Sequence, residues 1–339
     1  MDFLPDADQD ALIEATRQYI QSRVPPNDSL ARLDDIRWKE ITELGWLGLA
    51  TEEGAGGAGA TLLDEVFVFR EIGRGLVPGP ILATLAAARL AAWTGHTALS
   101  SDLIGGQARV ARAISLPGDN DRLLVLDGED SALVLTVDGD RAALYTTPQH
   151  LETSAGLEDG TSVGHAGRAD LGCASVVADD GRVVGRLRRV LSILTSAQLA
   201  GICGATRDLA TEYAKNRVQF GRPIGAFQAI KHKCADMATH ALAADNVTFF
   251  AALTEMTGAT DSDYHALAAA SCCRRASFAN ARANVQIHGA MGFTVEDNAH
   301  RFVKRTHTLC VTESFDRAAE LLGGLPSAQT SEEAWPRPN

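Results

Sequence analysis

Over the first hundred or so positions, apolar side chains recur at spacings of three and four. In "DQDALIEATRQYIQSRV" the positions Leu12, Ala15, Tyr19 and Ile20 line one stripe, and Asp8 or Asp10 is placed to cap the start of a helix. "LDDIRWKEITELGWLGL" repeats the signal, with Ile36, Ile41, Leu44 and Leu47 on one side and Gly45 as a stop. A Gly-rich loop, "EEGAGGAGA", follows. "LLDEVFVFREIGRGL" and "ILATLAAARLAAW" then predict two further helices, the second Ala-rich and buried.

The pattern changes near residue 108. "RLLVLDGEDSALVLTVDGDRAALYTTP" holds three β-rich runs split by Asp-Gly pairs at 127–128 and 138–139, which predicts a meander of hairpins. "CASVVADDGRVVG" adds one or two strands, and the Gly/Ser/Asp-rich "ETSAGLEDGTSVGHAGRAD" between them reads as loop. From residue 188 the helical period returns. Leu191, Leu194, Gln198, Ile202, Ala205, Leu209 and Tyr213 keep it in one long segment, and Phe227, Ile230, Cys234, Met237, Ala241 and Phe250 in the next. A third helix, "SDYHALAAASCCRRASFANARANVQIHG", is rich in small residues, and "DNAHRFVKRTHTLCV" with "ESFDRAAELLGGL" makes a fourth, interrupted one. The expected fold class is α+β, mainly α. An N-terminal helical domain (1–107) precedes a reduced β middle domain (108–187), a C-terminal four-helix bundle (188–325) and a polar tail (326–339).

Composition narrows the function classes. The chain has 339 residues, 45% hydrophobic and 22% charged, as in an ordinary globular protein of two or three units. Its net charge of −12 argues against broad binding to nucleic acid or to an anionic membrane. The six cysteines form no C-x-x-C pair and no zinc-like spacing with histidine, so reduced thiols in a cytoplasmic protein are expected. "MDFLPDADQD" lacks the basic and apolar regions of a signal peptide, and "GPILATLAAARLAAW" is too short to span a bilayer.

Two segments carry candidate chemistry. In "NRVQFGRPIGAFQAIKHKCAD" (216–236), Gly221 and Pro223 read as a helix stop with Arg217 in the last turn. The same Arg, beside an aromatic and a Gly turn, is suited to clamp a phosphate and a flat ring. In "QIHGAMGF" (286–293), Gln286 closes a long helix, and Gly289 and Gly292 let backbone approach a bulky ligand. Either segment alone is also an ordinary helix end. Glu313, in "CVTESFD", lies 27 residues beyond Gln286 between two helical pieces. The basic clusters "GRLRR" (185–189) and "KHK" (231–233) read as solvated faces, with a phosphate-bearing ligand as the alternative use.

Together, "RVQFGRPIGAFQAIKHKCADM" and "VQIHGAMGFTVEDNAHRFVKR" resemble the paired C-terminal motifs of the acyl-CoA dehydrogenase family. "WKEITELGWLGLATEEGAGGAG" and "EVFVFREIGRGLVPGPILATLAAA" resemble its N-terminal run, so the likeness spans nearly the whole chain. The resemblance implies oxidation of the Cα–Cβ bond of an acyl-CoA thioester, with FAD as cofactor and an electron-transfer protein as acceptor. It places Glu313 at the catalytic base. It places Arg217, Gln219, Phe220 and Gln286, with Gly289 beside them, where FAD is held across a subunit interface.

Three departures qualify the carry-over. The stretch that opens the family's middle domain with a flavin-holding strand is absent here. The family's Y-E-G-T is "TESF", with Ser314 and Phe315 in place of Gly and Thr. Asp297-Asn298 and Lys304-Arg305 replace a Tyr-Pro and an Arg-Asp. The chain therefore resembles the short subunit that some bacterial members, notably those acting on steroid side-chain CoA thioesters, pair with a complete one as an α2β2 tetramer. A homo-oligomer, a scaffold subunit that binds no flavin, and a related flavin oxidase or monooxygenase stand as alternatives.

Overall fold

A computed structural model of the chain describes residues 4–26, 33–116, 118–158 and 161–312. Five helices come first: α1 (Ala7–Arg23), α2 (Asp35–Glu43), α3 (Leu62–Arg74), α4 (Ile81–Trp93) and α5 (Thr97–Ile104). The cap of α1 is Asp6, not Asp8 or Asp10, which are already helical. The Asp6 carboxylate accepts the N–H groups of Asp8 and Gln9, and the Gln9 side chain accepts the Asp6 N–H in return. The inner face of α1 is Ile13, Thr16 and Ile20, while Ala15 is exposed. In α2 the buried pair is Trp38 and Ile41; Ile36 and Leu44 face outward. Gly45, at φ +75°, turns the chain so that Trp46 and Leu47 re-enter the core. Helix α4 is buried almost all round, as its Ala-rich sequence predicts. Its Arg89 is matched by Glu65 of α3 at 2.6 Å, and a second Glu65 oxygen accepts the Ala50 N–H. Burial pushes the Glu65 carboxyl up, and Arg89 opposes it.

Seven strands follow: β1 (Val110–Leu116), β2 (Asp119–Leu126), β3 (Leu133–Asp138), β4 (Arg141–Thr146), β5 (Glu152–Ala155), β6 (Ser162–Gly167) and β7 (Val176–Ala178). They form one sheet in the order β5-β6-β2-β1-β3-β4-β7. Only the second Asp-Gly pair makes a hairpin, with Asp138 opposite Arg141 and Gly139 at φ +49°. At the first, Asp127 sits at φ +56° and β2 leaves its neighbour β1. The chain then re-enters on the far side of β1 as β3, parallel to it. "GRVVG" is not a strand. Asp180 accepts the Arg182 N–H at 2.8 Å and starts helix α6 (Gly181–Asn216), with Val184 and Leu187 on its buried face.

One face of the sheet packs on α4, α5 and α6 through Leu90, Leu103, Val110, Leu135, Leu144 and Leu187. Helices α6, α7 (Gln228–Met256), α8 (Ser262–His288) and α9 (Ala299–Thr312) build the bundle. Helix α3 crosses α6 at glycines. A Cβ on Gly201 would lie 1.9 Å from the Arg70 carbonyl oxygen, and one on Gly73 would lie 2.0 Å from that of Gln198. The architecture is the mainly helical α+β arrangement expected from the pattern. Among the described residues no helix is long and apolar enough to cross a membrane.

Candidate functional site

Helix α6 ends at Asn216, earlier than the Gly221 stop that the sequence suggests. Arg217 is its C-cap, outside the last turn, and donates its N–H to the Tyr213 carbonyl at 2.9 Å. A tight hairpin follows, with β8 (Val218–Gln219) paired to β9 (Arg222–Pro223). A two-residue turn of this kind wants positive φ at both tip positions. Gly221 supplies +75° at no cost, but Phe220 is held at +52°, where a bulky side chain is disfavoured. The Ile224 N–H donates to the Arg217 carbonyl at 2.8 Å and closes the base. Arg222 lies over the Phe227 ring, 4.2 Å from its centroid, at the start of α7. Phe220 meets that ring edge-on at 6.2 Å.

The second segment ends α8. Gly289 takes φ +64° and donates its N–H to Val285, and a Cβ there would meet nothing within 4 Å. Gly292 is different: its backbone runs so close to Val285 that a Cβ would lie 2.9 Å from the carbonyl oxygen. The rings of Tyr213 and His288 stack at 4.2 Å, so the α6 hairpin and the α8 turn stand at one end of the bundle. Arg217, Gln219 and Gln286 are exposed there. So are Val218 (58%), Phe220 (89%), Phe293 (76%) and Val295 (79%), a set of large apolar groups left in water. The structure thus brings together the two motif segments. Glu313 lies outside the described residues, as do Ser314, Phe315 and the expected helix "ESFDRAAELLGGL".

A cavity of about 360 Å³ opens between α3, the segment after it, the sheet and α9. Ile72, Ile81, Leu124, Leu126, Leu191 and Leu309 give it an apolar wall, and Gln198 adds one amide. Arg305 of α9 closes one side. It pairs with Glu158 and donates to the carbonyls of Val77 (2.8 Å) and Leu76 (3.3 Å), joining three parts of the chain through one guanidinium. The sequence marks Arg305 only as a departure from the family pattern, without its partners or its place at the cavity. The available signal was a charge on the inner stripe of α9, three residues after buried Phe302 and four before buried Leu309.

The basic clusters divide. Arg186 stacks on Trp93 at 4.4 Å and pairs with Glu255, and Arg189 pairs with Glu255 and Asp263, so "GRLRR" serves the fold. Lys231, His232 and Lys233 are exposed near the start of α7. All six cysteines are free, and no cluster that could hold a metal ion occurs among the described residues.

The acyl-CoA dehydrogenase N-terminal domain matches residues 6–98, and the acyl-CoA dehydrogenase C-terminal domain matches residues 190–325. Acyl-CoA dehydrogenase FadE34 of Mycobacterium tuberculosis is 33% identical over 79% of this chain, which spans 38% of that protein's length. Acyl-CoA dehydrogenase IpdE2 of the same organism is 32% identical over 81% of each chain. The fold matches a chain of the ChsE4-ChsE5 complex from Mycobacterium tuberculosis with a TM-score of 0.78 at 21% identity, covering 96% of this chain and 100% of the other. With both terminal domains matched and relatives this similar over most of its length, the chain belongs to the acyl-CoA dehydrogenase family, whose members act as oxidoreductases on CH–CH bonds.

Proposed function

We propose that this chain is a subunit of an FAD-dependent acyl-CoA dehydrogenase in which its hairpin and α8 turn complete a flavin site seated mainly on a second, complete subunit. The observation that carries the reading is the exposed end of the bundle. Phe220 is held in a disfavoured backbone conformation and left 89% exposed, and Val218 in the same hairpin and Phe293 and Val295 after the α8 turn are uncovered too. Strain and solvated apolar area at one place are accounted for when another chain covers them.

The residues suit the cofactor. A dinucleotide offers a pyrophosphate and a flat ring, and this end offers the Arg217 fork, the Gln219 and Gln286 amides, the Phe220 ring and open space over Gly289. FAD, when bound, supplies the ring that accepts hydride from the acyl β-carbon. Arg217 would donate charge-assisted hydrogen bonds to the pyrophosphate, Gln286 would reach the same ligand, and Phe220 would exclude water. The Glu313 carboxylate accepts the α-proton at an oxygen atom. The apolar cavity excludes water from an acyl group, and its partners are a CoA thioester and an electron-transfer protein.

The test is co-expression with a complete subunit, read by flavin content and FAD titration. A yellow α2β2 complex is expected. Arg217→Ala should weaken FAD about ten- to a hundredfold, the worth of a charged hydrogen bond, and Arg217→Lys should recover part of it. Glu313→Gln should keep the flavin and lose turnover. A second reading, a scaffold that binds no flavin, is favoured by one observation. Strand β1 follows α5 after five residues, leaving no room for the flavin-holding stretch of the family pattern. A stable but colourless complex would establish it.

A further inference from the structure

On its buried face, α8 carries three polar side chains one turn apart: Asn280 (0% exposed), Asn284 (0%) and His288 (8%). Polar groups in a bundle interior cost stability unless partnered, so each partner is informative. Asn280 is used fully. Its amide nitrogen donates to the Cys203 carbonyl of α6 (3.2 Å) and the Met237 carbonyl of α7 (2.9 Å), and its oxygen lies 2.9 Å from His240 Nδ1. An amide oxygen only accepts, so Nδ1 of His240 carries the proton. His288 Nδ1 lies 2.8 Å from the Asn284 carbonyl and by the same logic is the donor, which fixes the tautomer and the ring plane. The ring then stacks on Tyr213 with an interplanar angle of 29°. Its Nε2 lies 3.8 Å from Asp297. The Asn284 amide has no partner of its own among the described residues, so the stripe is not arranged for stability alone.

These contacts tie α8 to α6 at two levels, Asn280 to Cys203 and His288 to Tyr213. Along α6 the ties are about 15 Å apart and along α8 about 12 Å, at 1.5 Å per residue. Two ties at separate levels oppose both sliding and rotation of one helix on the other. A slip of one residue would move α8 by about 1.5 Å and turn Gln286 through about 100°. The upper tie sits at the site itself. Tyr213 accepts the N–H of Arg217, and His288 adjoins Gly289.

We propose that His288, with Asn280 behind it, is a positioning residue that holds the Arg217–Pro223 hairpin and the Gln286–Gly289 turn opposite one another. Its functional consequence rests on the flavin-site reading above; the positioning itself does not. Hydrogen–deuterium exchange on the full-length chain tests it. His288→Leu should speed exchange at residues 217–224 about two- to tenfold, the worth of one aromatic pair, and leave residues 191–203 at wild-type rates. His288→Phe, which keeps the ring, should restore most of the protection. In the co-expressed complex, His288→Leu should weaken FAD by a similar factor.

Unchanged exchange at 217–224 in His288→Leu would overturn the proposal, as would acceleration spread evenly over α6, which marks a structural role only. If His288→Leu does not fold, Tyr213→Leu removes the same stack from the α6 side, and unchanged exchange at 217–224 there overturns it equally. Local acceleration in a chain whose complexes never bind flavin would sustain the positioning and refute the flavin reading.

Discussion

Phe220→Gly separates a residue kept for folding from one kept for a partner. The wild-type ring is held at φ +52°, a conformation that costs a non-glycine residue about 1–2 kcal/mol. Against that stand three losses. With 89% of the residue exposed, roughly a tenth of a Phe surface is covered, about 20 Å² and about 0.5 kcal/mol. The edge-on contact with Phe227 adds about 0.5 kcal/mol. Glycine also gains freedom in the unfolded chain, about 0.5–1 kcal/mol. Strain relief and these losses cancel to within about 1 kcal/mol. Urea unfolding of the isolated chain should therefore show a nearly unchanged midpoint and an unchanged slope. In the complex with a complete subunit, the same variant should lose flavin affinity at least about tenfold, as truncation of a central aromatic anchor does. A loss above about 2 kcal/mol in the isolated chain would mean that the ring holds the hairpin together. Full flavin retention in the complex would mean that this end of the bundle faces water.

Gly201→Ala places a methyl 1.9 Å from the Arg70 carbonyl oxygen and should cost about 2 kcal/mol or more in denaturant unfolding, while Gly185→Ala, also in α6 but with only the Arg189 side chain at 3.5 Å, should be neutral or mildly stabilising. Burial alone would raise the Asp208 carboxyl, but Arg74 and Arg207 outweigh it and hold it below its ordinary value. A depressed carboxylate contributes stability above its unfolded value of about 3.9 and loses it as pH falls through the folded value. The stability difference between wild type and Asp208→Asn should therefore shrink below about pH 4, and stay under about 1 kcal/mol above it because the pair is partly exposed.

What the sequence showed and hid follows from how local each signal is. The α6 stripe from Leu191 to Ala205 was legible because 3.6-residue spacing is local, whereas α1 turns Ile13, Thr16 and Ile20 inward and leaves Ala15 out. The expected α2 stripe splits, with Ile41 and Leu47 inside and Ile36 and Leu44 outside, because large apolar residues at two faces left the choice to tertiary packing with Trp38. Strand β1, "VARAISL", was passed over because Arg112 interrupts its alternation. The Asp-Gly at 127–128 has hairpin chemistry, but which strands pair is decided by the whole sheet, and β1 lies between β2 and β3. At the site, the residue types were readable while the meeting of two segments some seventy positions apart was not. That depends on the Tyr213–His288 stack, and neither ring announces it. The pairing of Arg305 with Glu158, 147 positions apart, was equally invisible: the sequence shows that Lys304-Arg305 departs from the family pattern but not which carboxylate answers it.

The glycine crossing of α3 and α6 also sets a timetable for synthesis. Val66, Phe67, Phe69 and Ile72 emerge more than a hundred residues before the α6 surface of Ile193, Leu194 and Ala197, with which they share a core. At 5–20 residues per second, those side chains wait on the order of ten seconds for their cover. Glycines that permit such close contact leave no side chains of their own as a provisional shield. A nascent chain stopped at residue 180 should accordingly carry an open apolar groove and be held by chaperones, and one extended through residue 216 should release them; equal chaperone occupancy at both lengths would show that the early helices find shelter without α6.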